Sequence, residues 1–262
     1  MAFSANRFLA ELRSLRFGCA LRCFPEVTST IDLAWEWLEE GGPEGGVIIA
    51  DRQTHGRGRQ GRSWASPEGG LWLSVLARPA LPIALAGRLG VALALSAADA
   101  VSLVAGVEAQ VKCPNDVVLE DRKLAGILVE TLTDGAHLTQ AVLSIGVNVD
   151  LDPAALPEEV RASATTLLAE TGQPQSAETV AARLLEALER RWPAVLGDGQ
   201  ALVESWQSRD ALANREVEVR LAAGCLRGEA RGIDPAGALR LWVEGQERRV
   251  TVGEIGQVRA QA

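Results

Sequence analysis

The hydrophobic pattern of the chain changes near residue 213, and this change constrains the fold more than any other sequence feature. Before that point, short apolar runs typical of buried strands alternate with segments of helical periodicity such as 85–104 and 201–212. After it, short segments alternate apolar and polar residues as strands do, at 217–221, 227–233, 238–243 and 248–252. We therefore predict an α+β protein: a mixed or antiparallel sheet with flanking helices in residues 1–212, and a small β-barrel in residues 213–262.

The composition excludes several classes of protein. Hydrophobic residues make up 47% of the 262 residues, so the chain can bury a large core. The net charge of −8 has the wrong sign for a protein that coats nucleic acid, and we expect no binding to DNA. Arg88 and Asp99 interrupt the most apolar stretch, residues 83–107, so we predict no membrane span.

The cysteines and histidines argue against a disulfide framework and against zinc. There are four cysteines at irregular spacing and two histidines, without paired Cys-x-x-Cys motifs. The first residues lack the pattern of an export signal. Together these features predict reduced thiols and a cytoplasmic location.

A loop rich in glycine and arginine follows the predicted buried strand at residues 47–50. Glycine allows close backbone approach to a ligand, and arginine binds carboxylates and phosphates. The glycines and arginines of this loop are Arg52, Gly56, Arg57, Gly58, Arg59, Gly61 and Arg62. The pattern favours an anion-binding loop but lacks the Gly-Lys-Ser/Thr ending of a P-loop. A solvated flexible loop, a nucleic-acid-binding tail and a charge cluster that balances acidic neighbours are the alternatives.

The two lysines of the chain lie close together in sequence. Of 26 basic residues, all except Lys112 and Lys123 are arginine, and Asn115 and Asp116 lie between the two lysines. A carboxylate beside a lysine can hold magnesium and neutralise a phosphate oxygen. The alternative is a polar hairpin turn with a surface ion pair, which contributes little stability.

Together these segments resemble the biotin protein ligases, over about residues 24–256. The family pattern Ser-Thr-Asn corresponds to Ser-Thr-Ile at 29–31, and the Gln-x-x-Gly-Arg-Gly-Arg-x-Gly-Arg pattern matches residues 53–62. Lys-Trp-Pro-Asn-Asp corresponds to Lys-Cys-Pro-Asn-Asp at 112–116, and Lys-Leu-Ala-Gly-Ile-Leu-x-Glu matches 123–130. Gly-x-Asn matches 146–148. These motifs occur in the family order.

The resemblance implies a catalytic domain with a C-terminal SH3-like barrel, in a short form without an N-terminal DNA-binding domain. It implies an enzyme that uses ATP and Mg²⁺ to convert biotin into biotinyl-5′-AMP and then transfers biotin to a lysine of biotin carboxyl carrier protein. A homodimer is a further possibility. A lipoate–protein ligase, a biotin-responsive regulator and a biotin-binding protein without catalysis are the alternatives.

The resemblance also assigns roles to residues. The catalytic residues implied are Lys123, Arg59, Arg62 and Asp116, and Asp116 is also the residue implied for magnesium. Those implied for biotin are Ser29, Thr30, Gln53, Gly56, Arg57, Gly58, Arg59, Lys123 and Gly126. Those implied for ATP are Arg57, Arg59, Arg62, Trp64, Lys112, Asn115 and Asn148.

Two positions depart from the family pattern. Ile31 replaces an asparagine that helps to bind the ureido end of biotin, so we expect a hydrogen bond there to be lost or supplied by a neighbour. Cys113 replaces a tryptophan, which removes an aromatic wall near the nucleotide site.

Overall fold

The computed structural model describes residues 2–221, 224–251 and 255–260. Within those residues the chain forms seven α-helices, together with short 3₁₀ turns. The helices are α1 (Ala5–Glu11), α2 (Thr30–Glu39), α3 (Gly87–Ala105), α4 (Glu158–Arg161), α5 (Leu167–Thr171), α6 (Ala177–Leu196) and α7 (Gln200–Gln207).

The first part of the chain builds a mixed sheet, which among the described residues has seven strands in the order β1-β2-β3-β7-β6-β5-β4. Its strands are β1 (Leu21–Val27), β2 (Val47–Gln53), β3 (Leu71–Ala77), β4 (Gln110–Lys112), β5 (Asp116–Leu119), β6 (Arg122–Asp134) and β7 (His137–Val147). The β1–β2 pair is parallel and the other pairs are antiparallel.

The C-terminal part forms a separate antiparallel sheet, which confirms the predicted fold class of α+β with a small C-terminal β-domain. In the described residues its order is β11-β10-β9-β8-β12, and these pairings do not close into a ring. Its strands are β8 (Glu216–Leu221), β9 (Gly224–Ile233), β10 (Leu239–Val243), β11 (Gln246–Val250) and β12 (Ile255–Ala260). Residue 252 of the predicted strand 248–252 lies outside the described residues. The boundary between residues 212 and 213 stays a prediction.

The two faces of the mixed sheet are covered differently. One face packs against α3 and α6 in the main core, with Leu73 and Leu143 completely buried. The other face packs against α2 through a smaller cluster that includes Ile31, Leu76 and Val142. Side chains alternate between the two faces along a strand, so the residues two positions from Leu76 and Val142 also face the side of the sheet that carries α2.

The predicted helix over 201–212 is partly wrong, because α7 ends at Gln207. Residues 208–212 form a turn instead, in which Asp210 makes an isolated parallel β-bridge with Val111 of β4. Val111 N–H donates to Arg209 O (2.9 Å), and Ala211 N–H donates to Val111 O (3.0 Å). This pairing covers the edge of the sheet and is formed between segments far apart in sequence, which local periodicity does not reveal.

The apolar segment from Ile83 to Ala105 forms a helix that is long and apolar enough to cross a membrane by length and composition alone. Within the structure, however, 67% of its apolar window is buried. It packs against α6 as a core helix of a folded domain does. No membrane role follows from its composition.

Arg88 connects this helix to the C-terminal part of the chain. Its guanidinium group is buried and donates to the carbonyl oxygens of Val195 (3.1 Å), Gly197 (2.7 Å) and Asp198 (2.8 Å). A fourth bond goes to Pro235 O (2.6 Å), in the turn between β9 and β10. Arg88 therefore satisfies free carbonyls at the end of α6 and ties both parts of the chain together.

Glu178, in the first turn of α6, fastens the N-terminal segment. Its side chain is 5% exposed; Oε1 accepts from Ser4 N–H (2.8 Å) and from Arg7 Nη2 (2.6 Å), and Oε2 accepts from the Ser176 hydroxyl (2.9 Å). Burial, the largest influence, raises the pKa of this carboxyl group. The hydrogen bonds to its charged form outweigh burial, so the pKa lies below its usual value.

We expect Glu178→Gln to lower the free energy of unfolding by about 2 kcal/mol at neutral pH, since it removes the charge at the centre of this network. A depressed pKa in the folded state gives stabilisation that is complete above the unfolded pKa of about 4.3 and is lost as the pH falls through the folded pKa. Urea unfolding of both proteins at neutral pH and at about pH 3 tests this linkage. A difference in stability that is the same at both pH values would contradict it.

Candidate active site

A cavity of about 300 Å³ opens on the face of the mixed sheet that also carries α2. The first residues of α2 form one end, the loop at 54–63 forms a side, and β6 and β7 form the floor. Val258 of β12 also lines it, so the C-terminal sheet contributes to the wall.

Two glycines on the floor make room for an aromatic ring. Gly126 of β6 and Gly146 of β7 lie opposite each other in the sheet. A Cβ atom at Gly126 would lie 2.7 Å from the Trp64 ring, and one at Gly146 would lie 2.4 Å from Trp64 Nε1. The indole therefore rests directly on the sheet backbone, and a side chain at either position would displace it.

The glycine–arginine loop is closed by backbone hydrogen bonds. Trp64 N–H donates to Gly56 O (2.8 Å), and Gly58 N–H donates to Arg62 O (2.7 Å). The chain reverses at residues 60–61, where φ is 56° and 72°. A Cβ atom at Gly56 would lie 2.4 Å from Trp64 O, so this close approach requires glycine. The sequence pattern of alternating glycine and arginine thus becomes a tight loop at the cavity.

Arg57 is held by two elements of the fold. Its Nη1 lies 2.9 Å from Asp32 Oδ1 on α2, and its Nη2 lies 3.4 Å from Glu130 Oε2 on β6. Glu130 Oε2 also accepts from Trp35 Nε1 (2.9 Å). These acidic partners fix the start of the loop at the cavity.

Arg59 places a positive charge in partly desolvated surroundings. Its Nη1 donates to Asn115 Oδ1 (3.4 Å), and Asn115 Nδ2 donates to Ile127 O (2.9 Å). Burial, the largest influence, lowers the pKa of Arg59 from its usual value; Asp116 opposes this shift and Arg62 adds to it. An arginine stays protonated even so, and an anion in the cavity would offset the cost of its burial.

Lys123 and Asp116 form an ion pair at the cavity wall. The register of β5 and β6 pairs Asp116 with Gly126, and Lys123 Nζ lies 2.6 Å from Asp116 Oδ1. The ammonium group is also 4.9 Å from the centre of a Trp64 ring. The side chains are 32% and 23% exposed, so a substrate can reach both.

A chain of polar groups lies at the α2 end of the cavity. Gln53 Oε1 accepts from Thr30 N–H (2.8 Å) and from the Thr30 hydroxyl (3.1 Å). The Thr30 hydroxyl is 2.8 Å from Ser74 Oγ, which is 2.8 Å from Ser144 Oγ. Gln53 Nε2 donates to Ser66 Oγ (2.8 Å). This end of the cavity is suited to a ligand that forms hydrogen bonds.

Most of the site residues predicted from the sequence come together at this cavity. Those that line it are Thr30, Gln53, Arg57, Gly58, Arg59, Arg62, Trp64, Lys112, Asn115, Asp116, Lys123 and Gly126. They come from four separate segments of the sequence, and the fold places them around one space.

Ser29, Gly56 and Asn148 lie behind the lining, and all three are buried. Ser29 Oγ accepts from Ile31 N–H (3.3 Å) and caps α2, and Gly56 closes the loop. Asn148 Nδ2 donates to Thr165 O (2.9 Å), which fastens the segment after β7. Each of these residues supports an element of the cavity wall, and contact with a ligand stays a prediction.

Ile31 and Cys113, which depart from the family pattern, both line the cavity and are 3% exposed. Ile31 packs with the smaller core cluster, so the wall there is apolar. Burial, the main influence, raises the pKa of the Cys113 thiol well above its usual value, which keeps it neutral.

Sequence reasoning missed the serines of the floor. Ser144 lines the cavity, and Ser74 lies directly behind it. Each interrupts a strand that is otherwise entirely apolar nearby, Leu71–Ala77 for Ser74 and 141–147 for Ser144. A hydroxyl in such a strand is a recognisable signal, because it needs a buried partner.

The site concentrates cations around a partly enclosed space. Lys112 and Lys123 join three arginines of the loop in its lining, against Asp116 and Asp121. Such an arrangement binds anions and stabilises negative charge that develops in a reaction. Within the described part of the chain there is no group of three or more His, Cys, Asp or Glu side chains that would bind a metal ion.

The chain is similar to known proteins in both parts. Residues 23–148 match the Biotin/lipoate A/B protein ligase family, and residues 213–255 match the Biotin protein ligase C terminal domain. The bifunctional ligase/repressor BirA of Bacillus subtilis is 31% identical over 217 residues, which cover 82% of this chain and 67% of the relative. The biotin–[acetyl-CoA-carboxylase] ligase of Mycobacterium tuberculosis is 35% identical over 222 residues, covering 82% and 80%.

A solved structure has the same fold over almost its whole length. The biotin protein ligase from Aquifex aeolicus, in complex with biotin and ATP, superposes with a TM-score of 0.82 at 28% identity. The match covers 93% of this chain and 100% of that one. The chain therefore belongs to the biotin protein ligase family.

Proposed function

We propose that the chain attaches biotin to a lysine of biotin carboxyl carrier protein, in two steps with biotinyl-5′-AMP as the intermediate. The observation that carries this proposal is the single cavity that joins a polar end to a cluster of fixed cations. The polar end suits the ureido ring of biotin, and the cations suit its carboxylate and the phosphates of ATP.

In the first step, a carboxylate oxygen of biotin attacks the α-phosphorus of ATP. The new C–O–P linkage forms as the bond to pyrophosphate breaks. Both reactants are negatively charged, so fixed cations must offset their repulsion and hold them in line. Lys123 is suited to the position between the carboxylate and the α-phosphate, and Arg57, Arg59 and Arg62 to the carboxylate and phosphates.

In the second step, the amine of the carrier lysine attacks the carbonyl carbon of the mixed anhydride and AMP leaves. The attacking ammonium group must first lose a proton. Asp116 is the carboxylate at the cavity wall that can take it, since an ion pair with Lys123 already places it there. Lys112, Asn115 and Trp64 are proposed to contact the nucleotide.

Mg²⁺ is expected to accompany ATP. The ion binds mainly to phosphate oxygens and water, so one protein carboxylate can suffice. Asp116 lines the cavity and is the residue we assign to it. When bound, the ion would neutralise charge on the pyrophosphate leaving group.

The setting of the enzyme is also a proposal. A supply of ATP and the free cysteines, three of them exposed, support a cytoplasmic location. The net charge of −8 supports the expectation of no DNA binding. A homodimer is supported by the exposed outer edge of β1, where Arg22, Cys23 and Glu26 face solvent.

The polar end of the cavity disfavours lipoate. The dithiolane ring of lipoate has no N–H groups and no carbonyl group, so the polar groups that face the cavity at this end, such as Ser144, would be desolvated without new partners. Exchange of labelled pyrophosphate into ATP distinguishes the two substrates. We expect exchange with biotin and none above background with lipoate. Exchange with lipoate alone would contradict the proposal.

We expect Lys123→Ala and Arg59→Ala each to reduce biotin-dependent exchange at least ~100-fold, because each removes a cation that faces developing negative charge. Lys123→Arg should also be impaired, since the planar guanidinium cannot replace a compact ammonium group. Arg52→Ala is the matched control: Arg52 pairs with Glu26 outside the cavity, and its loss should leave exchange unchanged. Equal activity of the control and Lys123→Ala would contradict the assignment.

We expect biotin alone to slow amide hydrogen exchange in residues 55–63, because most of this loop is exposed and the ligand would contact it. Helix α7, none of whose residues lines the cavity, serves as the internal control and should not change. Mass spectrometry of peptides from both segments measures the effect. Identical exchange of the loop with and without biotin would show that it does not close over this ligand.

A further inference from the structure

Ile31 leaves the α2 end of the cavity without the amide that the family pattern has there. Its side chain is apolar and buried among Ala34, Leu38 and Val142. The hydrogen-bonding groups at this end come instead from Thr30, Gln53 and Ser144. The direction of each hydrogen bond decides what these groups offer to a ligand.

The backbone N–H of Thr30 determines the orientation of the Gln53 amide. Thr30 N–H can only donate, so the atom 2.8 Å from it must be Gln53 Oε1. Gln53 Nε2 then faces Ser66 Oγ (2.8 Å). The Ser66 hydroxyl donates its own proton to Trp64 O (3.2 Å), so it is free to accept from Gln53.

The acceptor role of Gln53 Oε1 also sets the direction of the hydrogen bonds through Thr30 and the two serines. Gln53 Oε1 can only accept, so its 3.1 Å contact with the Thr30 hydroxyl is a hydrogen bond only when Thr30 donates. In the one arrangement that makes every contact of this chain a hydrogen bond, Thr30 accordingly accepts from Ser74 (2.8 Å). Ser74 therefore donates to Thr30, and since a hydroxyl has one proton, Ser74 must accept from Ser144 (2.8 Å). The protons run in one direction, from Ser144 through Ser74 and Thr30 to Gln53.

Ser144 is thus left with lone pairs and no proton for the cavity. It is 6% exposed and lines the space, whereas Ser74 is completely buried behind it. A buried hydroxyl oxygen with unused lone pairs selects a ligand that carries an N–H or O–H donor. The ureido ring of biotin has two N–H groups.

We propose that Ser144 Oγ accepts a hydrogen bond from a ureido N–H of biotin and is a specificity-determining residue in this chain. This inference rests on the proposed function. Ser74 is the positioning residue, because it holds the Ser144 proton away from the ligand. The relay supplies, from the floor of the sheet, a polar contact where Ile31 offers none.

The test measures KM and kcat in biotin-dependent pyrophosphate exchange for the wild type and Ser144→Ala. The substrates are biotin and its two isomers methylated at one ureido nitrogen. We expect Ser144→Ala to raise the KM for biotin about tenfold, with kcat and the KM for ATP unchanged, because only ground-state binding of the ring is affected. With one methylated isomer the two proteins should have equal KM values, since the hydrogen bond is already absent.

Two further variants separate this role from a general structural one. Ser74→Ala frees the Ser144 proton to rotate towards the ligand, so the KM for biotin should rise by a smaller factor, about threefold. Ser96→Ala removes an equally buried hydroxyl, bonded to Ala92 O in α3, and should leave the KM unchanged. Thermal unfolding midpoints show whether each variant is folded.

The outcomes are distinct. A wild type that exchanges with biotin, together with a Ser144→Ala variant whose KM changes less than twofold, would overturn this inference alone. Equal loss of affinity for biotin and for both methylated isomers would also overturn it, because no N–H would then be involved. A wild type that shows no exchange with biotin would contradict the proposed function, and this inference with it.

Discussion

The structure depends on one constraint: the face of the mixed sheet that carries α2 is largely apolar, yet it must leave space for a cavity beside that helix. Leu76 and Val142 fill this face on one side. Further along the same strands, glycine and serine replace large side chains, and the loop with Trp64 folds over the gap. The cavity is therefore a local interruption of a well-packed core, with the sheet as its floor and the loop as one of its sides.

This origin explains how an acidic protein can hold a cationic site. The net charge of the chain is −8, yet the lining gathers positively charged side chains from the loop, β4 and β6. Arg57 is balanced by acidic partners outside, and Lys123 by Asp116. Because interactions between charges are stronger in a partly desolvated cleft than in water, these few groups determine which ligands enter regardless of the net charge.

The sequence predicted the types of residue at the site better than it predicted how the fold brings them together. The arginine loop and the Lys112–Lys123 segment were recognisable because their residue types and spacing are unusual. The floor was less visible, since Ser74 and Ser144 become a unit only when β3 and β7 pair in register. Asn148 and Ser29 belong to matching motifs, but the fold uses their side chains to hold segments and to cap a helix. Pairing of residues 209–211 with Val111 is likewise a long-range event that local periodicity cannot show.

The central claim is that the carboxylate of biotin attacks the α-phosphorus of ATP in this cavity. Biotin labelled with heavy oxygen in its carboxylate, incubated with ATP, the enzyme and a biotin carboxyl carrier protein, tests this claim most directly. The account predicts that the AMP released during transfer carries one labelled oxygen, detected by mass spectrometry. Unlabelled AMP, or ADP as the nucleotide product, would contradict it.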